Sequence, residues 1–450
     1  MRSEHVKRNM TLVALATLWL IWPHANAQAA APADELAEIR RALDALTRRV
    51  ERLEQENAAL RAQNETLQRQ GESLQAEARE LRETSARQAA ALESAADSEW
   101  TRRIEWHGDL RWRHEQIDDD LTNDGAMHDT RHRERIRARV GLEAQVTETL
   151  TAGVQLATGG ADPRSANQTL GDAGSRKDIG LDLAYLRWQF ADWGNVTAGK
   201  MKLPIERPGQ SRFYDNDFNP EGIAFGFERG IWFARAYNFW MEERSTAADT
   251  LLWGTQVGVR LPIRESSLML AVHYSDLAKG QGALPFFDCS SLTVAAQSLP
   301  CTNGNTVVFA APGDPVLAYD FDVIELAAEW SGRLGAWPLE VWANLAENQD
   351  PEDLNLAWAV GIDLGKAGKS RTWEAGVGYQ SIEKDALFGA WVDSNFAAGR
   401  TDGTGWFFRG GYAPLENWTL NATYFLNERN VDVGTTGDHR RLQLDVNLKF

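Results

Sequence analysis

Residues 441–450 read Arg-Leu-Gln-Leu-Asp-Val-Asn-Leu-Lys-Phe, and the two faces of this stretch are chemically opposite. Leu442, Leu444, Val446, Leu448 and Phe450 alternate with Arg441, Gln443, Asp445, Asn447 and Lys449. A period of two puts one set on each side of an extended strand. The pattern recurs upstream. Trp418, Leu420, Ala422, Tyr424 and Leu426 oppose Thr419, Asn421, Thr423 and Asn427. Leu354, Leu356, Trp358, Val360, Ile362 and Leu364 oppose Asn355, Ala357, Gly361 and Asp363, and Trp373, Ala375, Val377 and Tyr379 oppose Glu374, Gly376 and Gln380.

A soluble sandwich and a membrane barrel share this periodicity, so other features decide between them. The segments run about ten residues, the length of a tilted spanning strand. Trp330, Trp337, Trp373, Tyr412 and Trp418 stand near strand ends, where an interfacial girdle lies. Short and long connections also alternate. The short ones fall near residues 147–149, 191–194, 228–230, 262–266, 331–336, 366–370 and 413–417. The long ones fall near 116–130, 159–178, 204–220, 242–250, 277–318, 347–353, 384–403 and 429–438. Seven short turns and eight long loops make about sixteen antiparallel strands of an all-β transmembrane barrel over 100–450. An even number leaves both ends on the short-turn side, the periplasm in such barrels. Facing is ambiguous over 179–190, 195–203 and 231–242.

Two other segments precede the barrel. Arg2, Lys7 and Arg8 lead into the apolar run 10–22, Pro23 ends it, and Ala25-Asn26-Ala27 offers a cleavage site, so 1–27 reads as a secretory signal peptide. Residues 34–95 read as a periplasmic α-helical coiled coil. One seam position is Ile39, Leu46, Leu53, Leu60, Leu67, Leu74 and Leu81; its partner is Leu36, Leu43, Val50, Asn57, Asn64, Gly71, Ala78, Ser85 and Leu92. A stripe with a 3.5-residue period requires partner helices, and polar a positions fix register. Secretion permits a local disulfide between the only two cysteines, Cys289 and Cys301.

Composition narrows the function. The chain carries a net charge of −17, which disfavours nucleic acid as a partner. After residue 30 no apolar run is long enough for a spanning helix. The mean hydropathy of −0.42 suits a soluble protein only because the polar and apolar faces of the strands cancel in the average.

Residues 106–113 (WHGDLRWR), 131–146 (RHRERIRARVGLEAQV), 167–171 (NQTLG), 198–204 (AGKMKLP) and 217–225 (DFNPEGIAF) carry a family likeness. On them the chain resembles the "putative porin" family of Gram-negative outer membranes. It implies a water-filled channel, a homotrimer, outer-membrane lipid and lipopolysaccharide as surroundings, and a terminal Phe450 read by barrel-assembly machinery. By likeness to general porins, the third long loop folds inward and narrows the pore.

Arg131, Arg133, Arg135, Arg137 and Arg139 take every second position on one strand, which stacks guanidiniums about 6.6 Å apart on the lumen side. Arg111 and Arg113 share the polar face of the preceding strand. The loop 204–220 brings Glu206, Asp215 and Asp217, and an acidic loop opposite a basic wall makes a transverse field at a constriction. Glu115, Asp118, Asp119, Asp120, Asp124 and Asp129 read as an acidic first outer loop, and Glu347, Asp350, Glu352 and Asp353 as an acidic sixth. His107 and His273 read as ordinary pore-wall groups.

No metal or cofactor is expected. The Asp120–Asp124–Gly125 run has Arg131 at the twelfth position, so the calcium-loop pattern fails. Hydrolase and nucleotide-binding motifs are absent from the sequence, which reads as no enzyme. The expected function is passive diffusion of small hydrophilic solutes or ions past a charged constriction. A different class is an envelope tether, with the coiled coil linking the outer membrane to peptidoglycan or another periplasmic component.

Overall fold

The computed structural model describes residues 33–96, 103–120, 129–245, 249–284, 302–309 and 315–450. The expected signal peptide and both cysteines of the expected disulfide lie outside these residues. The chain divides into two compact units at Ala96.

The first unit is a single helix, α1 (Ala33–Ala96), of 64 residues. It contains no Pro, and its charged faces carry spaced pairs such as Arg69–Glu65 (3.8 Å) and Arg87–Glu83 (3.6 Å). Such exposed pairs add only a few tenths of a kcal/mol each. The seam residues Ile39 to Leu81 are 49–65% exposed in the single chain. An apolar stripe left in water over that length gives the helix little reason to persist without partners.

The second unit is a closed antiparallel barrel. Its sixteen strands are β1 (Ile104–Asp119), β2 (Arg131–Gln145), β3 (Leu150–Thr158), β4 (Ile179–Ala191), β5 (Gly194–Lys200), β6 (Glu221–Arg229), β7 (Trp232–Glu242), β8 (Thr250–Ile263), β9 (Ser266–Ala278), β10 (Asp322–Leu334), β11 (Trp337–Asn348), β12 (Leu356–Gly365), β13 (Thr372–Ile382), β14 (Gly403–Leu415), β15 (Trp418–Arg429) and β16 (Gly437–Lys449). Each pairs with the next, and β16 returns to β1 from Asp109↔Lys449 to Asp119↔His439. A two-residue strand, Gln168–Thr169, adds onto β2 inside the second long loop.

Short and long connections fall where the turn signals place them. Gly230 and Gly335 supply the positive φ (63° and 60°) that tight hairpins need. For 179–190 and 231–242 the ambiguous facing has a physical cause: the register shifts at Gln155/Leu156, Gln189/Ala191 and Trp240/Glu242, and each bulge resets the alternation. At the seam, Phe450 exchanges both backbone hydrogen bonds with Gly108 (2.9 and 3.1 Å). A Cβ on Gly108 would lie 2.5 Å from the Phe450 ring, so this glycine makes room for the terminal aromatic.

Outward positions carry the exposed apolar side chains, among them Val257, Val272, Leu326 and Leu444, while their neighbours Gln256, Ala271, Ala327 and Gln443 are buried on the inside. The largest apolar cluster lies inside the barrel. The third long loop (201–220, L3) and the seventh (383–402, L7) fold inward and pack Met201, Ile205, Phe213, Phe218, Leu387, Phe388, Trp391 and Phe396 against wall residues such as Phe239, Trp342 and Phe407. Trp391 stacks on Phe218 at 5.4 Å and meets Phe388 edge-on at 4.6 Å.

Candidate functional site: a charged lumen wall facing two inward loops

The wall opposite this apolar cluster is built by β1, β2 and β16. Arg111, Arg113, Arg133, Arg135, Arg137 and Arg139 all project inward, because period-two geometry places them on the same side as Gln443 and Asp445. The register sets Arg111 directly opposite Arg137, and Arg113 opposite Arg135. Like charges in direct opposition are unfavourable, so the acids between them decide whether the wall holds. Asp109 bridges Arg137 (2.8 Å) and Arg139 (2.6 Å). Asp445 takes Arg113 in a two-pronged contact (2.6 and 2.7 Å). Glu115, with no exposed side-chain surface, contacts Arg113 (3.5 Å), Arg135 (3.9 Å), Arg441 (2.6 Å) and Arg133, and also accepts from Gln443 (3.0 Å).

Glu115 therefore corrects the acidic-loop reading. The first strand runs on to Asp119, and this carboxylate sits at the centre of the arginine cluster rather than at the mouth.

The three L3 acids part company. Asp217 faces the wall, with Oδ1 3.5 Å from Arg137 and 3.6 Å from Arg139. Asp215 turns toward L7: it accepts from the backbone N–H groups of Asp217 and Ser394, both at 2.8 Å. Glu206 does not join the ladder, because Arg235 and Arg260 on β7 and β8 hold it at 2.8 Å each. His107 lines the lumen beside Gly141, whereas His273 is buried between Tyr237 (2.9 Å) and Glu325 (3.1 Å).

L7 and the second loop are the parts that the residue pattern alone did not point to. The Asp215 N–H donates to Trp391 O (2.8 Å), and the Asp393 N–H donates to Arg212 O (3.2 Å), so L3 and L7 pair through their backbones. Arg212 also bridges to Asp393 (2.9 Å). From the second loop, Arg164 donates to the carbonyls of Gly389 (3.3 Å) and Gly399 (2.8 Å). Ser165 and Asn167 accept from Arg135, each at 3.1 Å.

The model of the family described as "Putative porin" matches residues 120–318 and 302–450. The chain belongs to this porin family. OprB of Pseudomonas putida, in a high-pH structure, is similar over 78% of this chain and 95% of its own, at 10% identity and a TM-score of 0.52; it shares the fold. Outer-membrane-expressed OmpT of Vibrio cholerae matches 77% of this chain and 97% of its own at 11% identity and a TM-score of 0.44. A triple mutant of the Rhodopseudomonas blastica porin matches 77% of this chain and 100% of its own, at 13% identity and a TM-score of 0.41. No match was found among curated proteins. The porin is thus an outer-membrane β-barrel whose family and fold are those of a channel.

Between the wall and the two loops the porin encloses a polar cavity of about 450 Å³, lined by Arg111, Arg139, Arg212, Asp217, Asp393 and Lys449 among others. Among the described residues no His, Cys, Asp and Glu grouping could hold a metal ion. The acids on the loops are shifted in opposite directions. Burial, followed by the charges of Asp393 and Asp217, pushes Asp215 up to about 7. Asp393 is equally buried, yet Arg212 and the Asn395 N–H hold it below the usual carboxylate range. Because folding raises the pKa of Asp215, the folded state binds this proton more tightly than the unfolded one. The stabilisation is present below about 3.8 and is lost as pH rises toward 7. Hydrogen exchange in 391–396, corrected for intrinsic rate, is therefore expected to be faster at pH 8 than at pH 5. In Asp215→Asn the difference should vanish; an unchanged difference would exclude Asp215 as its source.

Proposed function

We propose that this porin is a passive channel for small hydrophilic solutes and ions, narrowed where L3 and L7 face the arginine wall. The supporting observation is the asymmetry of the lumen: one side is filled by the apolar packing of L3 and L7, and the polar cavity lies against the charged wall. A hydrated solute avoids apolar surface and so follows the charged side. Asp217 opposite Arg137 and Arg139 supplies the transverse field there. In this reading residues 1–27 are removed on secretion, and the barrel sits in the outer membrane as a homotrimer. The helix lies in the periplasm, its exposed seam paired with the same seam of two other copies.

Purified protein in planar bilayers is expected to give ohmic single-channel steps. Reversing Arg135 and Arg137 to Glu removes two positive charges and leaves Asp109 and Asp217 under-neutralised, so the reversal potential should shift toward cations. An unchanged potential would refute the charged constriction, and an absence of steps would refute the channel.

A further inference from the structure

The guanidiniums around the lumen cavity are matched to carboxylates with one exception. Arg113 takes Asp445, Arg137 and Arg139 share Asp109, Arg212 holds Asp393, and Arg409 holds Asp363 (2.8 Å). Arg111 has no carboxylate within 4 Å among the described residues. Its hydrogen bond runs from Nη2 to Asn167 Oδ1 (2.6 Å), and its Nε is buried with no acceptor. Its neighbours across the sheet are Arg137 on one side and Asn447 on the other, so its row of the wall holds two cations and no acid. The acids that act on it from a distance are already committed: Asp445 is held by both prongs of Arg113, and Asp217 lies against Arg137 and Arg139.

A guanidinium that lines a polar cavity with no carboxylate to neutralise it is the donor half of an oxyanion site. We propose that Arg111 anchors a binding site for a small hydrophilic monocarboxylate, of which a sugar acid is the simplest example. The assignment rests on the channel reading above and names what its cavity holds. One unneutralised guanidinium suits one carboxylate. A second negative charge would meet Asp217 and Asp445, which line the same cavity. The remaining wall offers amides and hydroxyls, including Asn421, Asn447, Thr419 and Gln210, which match the hydroxyls of a sugar acid rather than an apolar body.

The test is single-channel recording in chloride with gluconate as the probe, and with glucose and inorganic phosphate as comparisons. Gluconate is expected to produce transient blockades. Arg111→Gln should raise the half-blocking gluconate concentration by about tenfold or more, as expected for loss of a charge-assisted contact. Arg111→Lys should restore part of the loss, because a cation without the fork keeps charge but not geometry. Both variants are first checked for the heat-modifiable electrophoretic mobility of an intact barrel.

Equal half-blocking concentrations in the wild type and Arg111→Gln would overturn the proposal. So would blockade by glucose or phosphate as effective as that by gluconate, or clear conductance steps that gluconate never interrupts. In each of those cases the channel reading survives; a wild type without steps would remove that reading and this site with it.

Discussion

Glu115→Gln is expected to lower the stability of the barrel and shift its ion preference toward anions. The carboxylate has no exposed surface and contacts four guanidiniums, those of Arg113, Arg133, Arg135 and Arg441. Removing one partner of a buried ion pair costs about 3–5 kcal/mol, most of it because the opposite charges remain buried. Asp445 cannot compensate, since Arg113 already occupies both of its oxygens. Gln keeps the shape and one acceptor for Gln443 Nε2, which separates the loss of charge from the loss of packing. The measurements are the temperature at which the heat-modified band appears and the reversal potential in a salt gradient. If neither moves, Glu115 does not neutralise the wall.

The same residue shows where the sequence pattern stops being informative. Alternation is legible in β16 because Leu444 and Leu448 meet an apolar exterior while Gln443 and Asp445 face the interior. Near the loop end of β1 the contrast disappears. Inward Glu115 alternates with His114 and Gln116, which are polar on the outer side too, and His114 pairs with Glu134 at 2.6 Å. A strand that rises past its apolar band is still a strand, but period two in hydropathy no longer marks it.

The arginine ladder was legible for the opposite reason, since five basic residues at alternate positions leave no other common face. Its partners were not. Asp217 and Glu206 sit in one loop, and only the closed barrel sends one to β2 and the other to β7 and β8. The inward fold of L7 did leave a trace: Leu387, Phe388, Trp391, Val392 and Phe396 are an apolar load that a solvated loop does not carry.

Trp391→Ala is expected to release L7 and widen the channel without opening the barrel. Trp391 is 5% exposed, stacked on Phe218 and edge-on to Phe388, and its carbonyl receives the Asp215 N–H. Truncating a buried Trp to Ala costs about 3–5 kcal/mol. Loops docked by a limited set of contacts open locally at less than the global unfolding free energy. The strand ladders do not depend on this side chain, because β16 closes on β1 through its own backbone. The loss therefore falls on the contact between L3 and L7, where Arg212–Asp393, the Ser394 N–H bond to Asp215 and the two backbone hydrogen bonds are left to hold the loops. Higher unitary conductance, passage of larger uncharged sugars in liposome swelling, and faster hydrogen exchange in 383–402 should appear together, with heat-modifiable mobility intact. Conductance and exchange equal to those of the wild type would mean that the apolar packing of L7 does not set the aperture.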